Sequence, residues 1–347
     1  MKYKPIGMAI LAAALYGISA PISKMLLTEL PPTLMAALLY LGAGIGMAGI
    51  NLYKRLMKKE QLEASITKKE APYVIGMILL DILAPIFLML GLSLTTSSNA
   101  SLLNNFEIVA TSLIALFLFK ETIGKRMWIA IGFITISSIL LSVTDLSSLD
   151  FSLGSVFILL ACLSWGFENN CTRMLSLKDP LQIVVIKGFG SGLGALLISV
   201  VLKAYSQNIG YIAVALILGF FAYGLSIFFY IKAQRDLGAA RTSAYYAIAP
   251  FIGVLISWIV LHEGITEQFV FALILMIIGT YFAVSEDHRH VHVHTQETHE
   301  HKHRHDDDHH SHHHEGVILG EHSHSHTHEE KVHKHPHLPD LHHRHSH

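Results

Sequence analysis

Charge is scarce in this chain: Asp, Glu, Lys and Arg together make up 15% of it, against about 25% in soluble globular proteins. Histidine is scarcer still over the first 285 residues, where His262 stands alone. The two cysteines, Cys162 and Cys171, fall nine residues apart on one expected helix, roughly 13 Å at about 1.5 Å per residue, so they cannot bridge each other there. No G-x-x-x-x-G-K-[ST] loop occurs, so nothing resembles an ATP-binding motor. No nucleophile-and-base arrangement is visible either, and no enzyme activity or nucleic-acid partner is expected.

What fills the space is apolar. Hydrophobic residues make up 52% of the chain and the mean hydropathy is +0.46, which marks an integral membrane protein. A helical span needs about 20 mostly apolar residues. Segments of that kind recur at about 5–27, 32–52, 71–93, 98–119, 126–145, 152–174, 180–202, 210–232, 241–261 and 267–285. The start, MKYKPIGMAILAAALYG, is basic like a signal peptide. Its apolar run continues past Pro21 to Leu27 without a cleavage site, so it is read as the first span.

Charge asymmetry orients the bundle. With both termini cytoplasmic, 16 of the 19 Lys and Arg in residues 1–285 fall in or beside inner segments, including Lys54, Arg55, Lys125, Arg126, Lys232 and Arg235. Basic residues in short loops prefer that side. The expected location is the plasma membrane, crossed many times.

A weak internal repeat runs through these spans. LYGISAPISKML (15–26) aligns with SWGFENNCTRML (164–175), GAGIG (42–46) with GSGLG (190–194), and FKETI (119–123) with LHEGI (261–265). An odd number of spans per repeat, five, inserts the second half upside down relative to the first, a recurring plan of secondary transporters with the substrate site near the midplane. The predicted fold class is therefore all-α integral membrane, ten transmembrane helices as two inverted five-helix repeats, residues 1–145 and 146–285, plus a disordered tail, 286–347.

Over residues 5–285 the sequence resembles the drug/metabolite transporter superfamily, in particular its ten-helix EamA-type members. The resemblance rests on the YG…P..K pattern at 16–24 with its WG…R echo at 165–173, and on the turn GLSLTTSSNASLL (91–103) echoed by AQRDLGAARTSAY (233–245). Glu121 and Glu263, closing helices four and nine, complete it. It implies ten helices around a central cavity that move small organic molecules, often outward, by alternating access. The family often has a basic residue early in helices two and seven; Lys187 fits in helix seven, but its counterpart is Leu39.

Polar residues at depth are the site candidates, because a charge at the bilayer centre costs about 2.5–3.5 kcal/mol on the insertion scale and normally faces a cavity or a partner. Asp81, Glu107, Glu168 and Lys187 qualify. Asn104 and Glu107, at i and i+3, share a helical face and suit a cation, an amine or a proton. The plainer alternative for Glu107 is an internal hydrogen bond or an ion pair with Lys187. Glu168 adjoins Asn169 and Asn170 in a helix whose mate carries Pro21, which suggests a local break. Asp81 precedes Pro85 by four residues, so its carbonyl loses the helical donor. Trp165, Tyr16, Tyr245 and Tyr246 suit an aromatic pocket, although belt or core packing is the commoner fate. Lys24 and Arg173 suit anchoring at the interface. Gly42/Gly46 and Gly190/Gly194 form G-x-x-x-G pairs that bring helix backbones together.

The tail is a different material. Residues 286–347 hold 24 of the 25 histidines, with too few large apolar residues for a core. His288, His290, His292 and His294 form one H-x-H run; His301, His303 and His305 form a second. His309, His310, His312, His313 and His314 follow Asp306–Asp308, and His322, His324, His326 and His328 close the series. Neutral imidazoles suit Zn, Ni, Co or Cu, so the tail is expected to bind transition metal while the bundle requires no cofactor. Two functions follow: a secondary exporter of small organic metabolites or drugs with a metal-binding tail, or a divalent-metal transporter fed by that tail. The partners expected are the bilayer and a small-molecule substrate, with a homodimer left open.

Overall fold

The computed structural model describes residues 3–57, 65–119, 123–145, 150–175, 178–237, 242, 245–285, 289–294, 297–303, 322–328 and 331–336. Among these, eight helical stretches are long and apolar enough to cross a membrane: Lys4–Leu26, Pro32–Leu56, Lys68–Leu94, Ser97–Leu118, Lys125–Ser142, Pro180–Val201, Ile209–Ala233 and Glu267–Val284. Two of the ten expected spans stand apart. Leu153–Arg173 has the length, at 21 residues, but carries Glu168, Asn169 and Asn170 near its end. Ala249–Leu261 is apolar and shorter.

The helices are α1 Tyr3–Gly17, α2 Ser19–Leu26, α3 Pro32–Leu56, α4 Ala71–Leu94, α5 Ser97–Leu103, α6 Phe106–Phe119 and α7 Lys125–Ser142. They continue as α8 Leu153–Arg173, α9 Pro180–Val201, α10 Ile209–Gly219, α11 Ser226–Leu237, α12 Ala249–Leu261 and α13 Glu267–Val284. A π-helical turn, Phe220–Leu225, joins α10 to α11. A short ladder, β1 Val143–Asp145 with β2 Asp150–Phe151, lies where the sequence divides into its two halves.

Faces follow from burial. On α13, Ala272, Met276, Gly279 and Thr280 are buried, while Phe271, Ile274, Ile277 and Tyr281 are exposed. Phe269 is buried on the same face as the first set, and both stripes are mostly apolar, the pattern of a helix that packs one face on its neighbours and turns the other to lipid. The principal pairs are α3 with α9, α4 with α8, α7 with α13, α1 with α11, α6 with α8, α1 with α12, and α5 with α12.

Glycine sets the closest approaches. A Cβ on Gly42 would stand 2.0 Å from the Leu216 carbonyl oxygen, and one on Gly188 would stand 2.4 Å from the Gly44 nitrogen. Gly46 faces Phe220, while Gly190 and Gly194 face Ile78 and Ile82. The G-x-x-x-G stripes are thus packing surfaces.

Two of the breaks fall just before a proline, Pro21 in helix one and Pro250 in helix nine, where the missing N–H leaves the preceding turn without its donor; the third has no proline beside it. Helix one is interrupted at Ile18, and helix four at the turn Asn104–Asn105, where Glu107 and Ile108 donate to the carbonyls three residues back. Another turn, at residues 247–248, precedes α12. The break expected beside Glu168 is absent, since α8 runs unbroken from Leu153 to Arg173. Pro85 sits inside α4, which also continues.

In the tail, β3 Arg289–His294 pairs with β6 Lys331–Pro336, and β4 Glu297–His303 with β5 His322–His328, both antiparallel. Their alternation of His with Val, Thr and Ser has the two-residue period of a strand, and pairing satisfies the backbone. His288, His305, His309, His310, His312, His313 and His314 lie outside the described residues, as does Glu121.

Gly42→Ala should sharply lower the thermal unfolding temperature in detergent, because backbone carbonyl atoms of α10 cannot retreat without moving that helix. Gly49→Ala, with nothing near its added carbon, should be neutral or stabilising by up to about 1 kcal/mol. Equal tolerance at both positions would contradict the close crossing.

Candidate functional site

Three helices deliver one ion cluster. Asp81 on α4, Glu168 on α8 and Lys187 on α9 are all buried. The Lys187 ammonium stands 3.1 Å from Asp81 Oδ2 and 3.0 Å from Glu168 Oε1. Tyr40, from α3, donates to Asp81 Oδ1 at 2.9 Å, and Thr172 donates to Glu168 from one turn along the same helix. Removing Lys187 would leave two buried carboxylates without a cation, which typically costs about 3–5 kcal/mol, whereas removing one carboxylate would still leave the other paired with the ammonium.

Glu107 is organised differently. Its Oε1 accepts from Asn169 Nδ2 at 2.6 Å, and that amide also reaches Thr111 Oγ1 at 3.2 Å. Asn170 is tied to the backbone, donating to Gly166 O at 2.8 Å and Thr111 O at 3.3 Å. Of the two plainer alternatives for Glu107, the internal hydrogen bond is present and the ion pair with Lys187 is not among the described ion pairs. Lys187 is held between two other carboxylates, and the partner of Glu107 is an amide one helical position from Glu168.

A row of tyrosines runs beside these groups. Ring centroids are separated by 5.3 Å for Tyr40 and Tyr223, 5.9 Å for Tyr223 and Tyr16, 6.0 Å for Tyr16 and Tyr246, and 4.9 Å for Tyr246 and Tyr230. Glu107 lies within electrostatic reach of Tyr16, Tyr223 and Tyr246, so the row connects the ion cluster to the second carboxylate. Trp165 is buried beside the Tyr40 hydroxyl. Of the adjacent pair at the start of helix nine, Tyr246 joins the row. Tyr245, half-buried, is not among the described ring contacts. Tyr40 and Tyr223 were not singled out from the sequence, where nothing separates them from packing aromatics.

Asn104 lies in the break between α5 and α6. Its Oδ1 is buried with no hydrogen-bond partner among the described residues, so it shares the Glu107 turn without pairing to that side chain.

A second polar cluster holds the opposite end of the break. Glu263 accepts from the Ser97 and Ser98 backbone nitrogens at 2.6 and 2.8 Å and from Ser98 Oγ at 2.5 Å. Ser257 Oγ donates to Ser97 Oγ at 2.9 Å. Lys24 donates to the carbonyls of Leu92 and Thr95, both at 2.7 Å, so it closes the end of α4, where the sequence suggested simple anchoring. Opposite charges placed at opposite helix termini match the helix dipole. Lys24, Asn99, Glu263 and Gln268 line a cavity of about 570 Å³ here. It is separate from the ion cluster.

The sequence profile of the EamA-like transporter family matches residues 4–143 and again residues 152–285. The chain belongs to that family. An uncharacterized transporter of Methanothermobacter thermautotrophicus (strain Delta H) is 25% identical over 288 residues, covering 78% of this chain and 83% of its own length. One solved crystal structure aligns with a TM-score of 0.59 at 15% identity, covering 80% of this chain and 95% of its own, a likeness of fold. This EamA-like chain is accordingly a multi-pass membrane transporter.

Lys187→Met should cost about 3–5 kcal/mol of stability by stranding Asp81 and Glu168. Adding Asp81→Asn and Glu168→Gln should recover most of that loss. Thermal unfolding of the purified variants checks it; a triple variant no more stable than Lys187→Met would show that the cluster is not balanced in this way.

Proposed function

We propose that this EamA-like protein is a gradient-driven exporter of small organic metabolites or drugs, working across the plasma membrane by alternating access with both termini cytoplasmic. The observation that carries the proposal is the mid-bundle cluster. A carboxylate–ammonium–carboxylate core, one cation held between two acids, adjoins a further carboxylate, Glu107, and a row of aromatic rings, at a point where helices one, four and nine are interrupted. Interrupted helices at such a site are a recurring feature of secondary transporters.

Ten spans in two inverted halves are part of this proposal. Exchanging each span with the one five places away turns the pair α4–α8 into α11–α1 and α6–α8 into α12–α1, while α3–α9, α7–α13 and α5–α12 map onto themselves. The doubled family match supports the same division. Gly42 and Gly46 packing on helix eight likewise mirror Gly190 and Gly194 packing on helix three.

The Glu263–Ser97–Ser98 contacts with Ser257 then act as an outer clasp. In an alternating cycle they hold the outer side shut while the inner side exchanges substrate, and they part when the outer side opens. Glu107 takes up a proton at one face and releases it at the other, so that cargo and proton compete for one carboxylate.

The alternative, a bundle that carries Zn, Ni, Co or Cu, finds less support. Among the described residues no three His, Cys, Asp or Glu side chains gather as a metal site. Asp81 and Glu168, the best oxygen ligands, enclose the Lys187 ammonium where a cation would have to sit. Transition metal belongs in this proposal to the cytoplasmic tail, as a reservoir or sensor.

In proteoliposomes, Glu107→Gln should abolish substrate movement driven by a pH gradient; undiminished uptake would remove Glu107 as the coupling site. Glu263→Gln should weaken the outer clasp, since a neutral amide is a poorer acceptor for two backbone N–H groups. A cysteine placed at Ser97 in that background should react faster with an impermeant thiol reagent, and an unchanged rate would exclude the clasp as a gate.

A further inference from the structure

We infer that the cargo presents a protonated amine attached to an apolar or aromatic body, with the ammonium on Glu107 and the body on Tyr16 and Tyr246. This rests on the transporter reading above and names the class of compound for that site. Three observations lead to it.

Charge comes first. Lys187 answers both Asp81 and Glu168, whereas Glu107 takes part in none of the ion pairs among the described residues and is met by the neutral Asn169 amide. A lone carboxylate in the bilayer interior calls for a cation or a proton, and an ammonium supplies the first while displacing the second. A carboxylate on the cargo has no such welcome, because the nearby ammonium is already held by two carboxylates.

Unused hydrogen-bonding capacity is the second observation. Asn104 Oδ1 is buried without a hydrogen-bond partner among the described residues, on the turn from which Glu107 rises. It is an acceptor, as is the carboxylate, and an ammonium carries donors only. A buried acceptor left open typically costs about 1–3 kcal/mol, which a bound N–H group would relieve.

Third, access and rings coincide. Asp81, Glu168 and Lys187 are buried, whereas Glu107, Asn104, Asn169, Tyr16 and Tyr246 keep partial exposure. The Tyr16 and Tyr246 rings lie 6.0 Å apart and tilted by 31°, and although each has a further ring neighbour, both keep part of their surface exposed for an apolar body. Aromatic faces also attract an ammonium within about 6 Å.

The test is equilibrium binding to the purified full chain in detergent at pH 7, using phenethylamine as cationic probe, phenylacetate as anionic probe and phenylalanine as zwitterion. Phenethylamine should bind saturably and at least tenfold more tightly than either of the others. Glu107→Gln should weaken it at least tenfold, Glu107→Asp should retain measurable binding, and protons should compete with it as the pH falls. Phenylacetate or phenylalanine binding as well as phenethylamine would overturn the inference. So would phenethylamine affinity unaffected by Glu107→Gln, or no phenethylamine binding to wild type. The comparison among the three probes needs no variant. Because binding is read without transport, a chain that binds the amine and fails to move it in proteoliposomes would contradict the transporter reading alone. A chain that moves other compounds while ignoring the amine would contradict this inference alone.

Discussion

Two carboxylates share one ammonium at the centre of the bundle, and much of the helix arrangement follows from keeping those three groups together. Desolvating a charge in a bilayer is tolerable when an opposite charge and hydrogen bonds replace the water. Asp81, Glu168 and Lys187 come from three different helices, so α4, α8 and α9 must meet at one level. Tyr40 and Thr172 fill remaining acceptor positions. Gly190 and Gly194 of α9 help the meeting, because a larger side chain at either would run into Ile78 or Ile82 of α4.

Once the first two carboxylates are satisfied internally, Glu107 stands out by contrast. It follows an interruption of helix four: Glu263 holds the N-terminus of α5 before that interruption, and Asn169 holds Glu107 in the first turn of α6 after it. A shift of α5 would therefore be felt at the Glu263 contacts and, through the turn at Asn104–Asn105, at Glu107, which is the kind of link the proposed alternating cycle requires.

Much of this was legible in the residues. The cost of burying charge singles out Asp81, Glu107, Glu168 and Lys187 without any knowledge of their neighbours, and G-x-x-x-G spacing locates the closest crossings. Pairing was not legible. Choosing between Asp81 and Glu107 as the partner of Lys187 depends on helix rotation, which a nearly uniform apolar sequence does not encode in its periodicity. The same ambiguity put Tyr245 and Tyr246 forward together, although they point about 100° apart on a helix and Tyr246 is the one that joins the aromatic row. Tyr40 and Tyr223 look like packing residues until their ring contacts are seen. Proline drew attention to Glu168, yet the helix breaks at Asn104–Asn105, where two poor helix formers adjoin and each side chain competes for backbone hydrogen bonds. In the tail, histidine composition pointed to metal, but its two-residue alternation also carried a strand pattern that composition alone passes over.

The His-rich tail is the most conspicuous feature of the sequence and the least connected to the ion cluster. Its chemistry is that of a metal ligand, while the bundle's carboxylates are committed to lysine or to an amide. The central claim, that the bundle moves small organic molecules through the Glu107 region, is tested most directly by untargeted comparison of compounds and metals released by cells that carry the wild-type chain, the Glu107→Gln chain or no chain. The account predicts that wild-type cells release an excess of small organic compounds that Glu107→Gln cells do not, with metal release unchanged by that substitution. Metal release that depends on Glu107, with no difference in organic compounds, would contradict it.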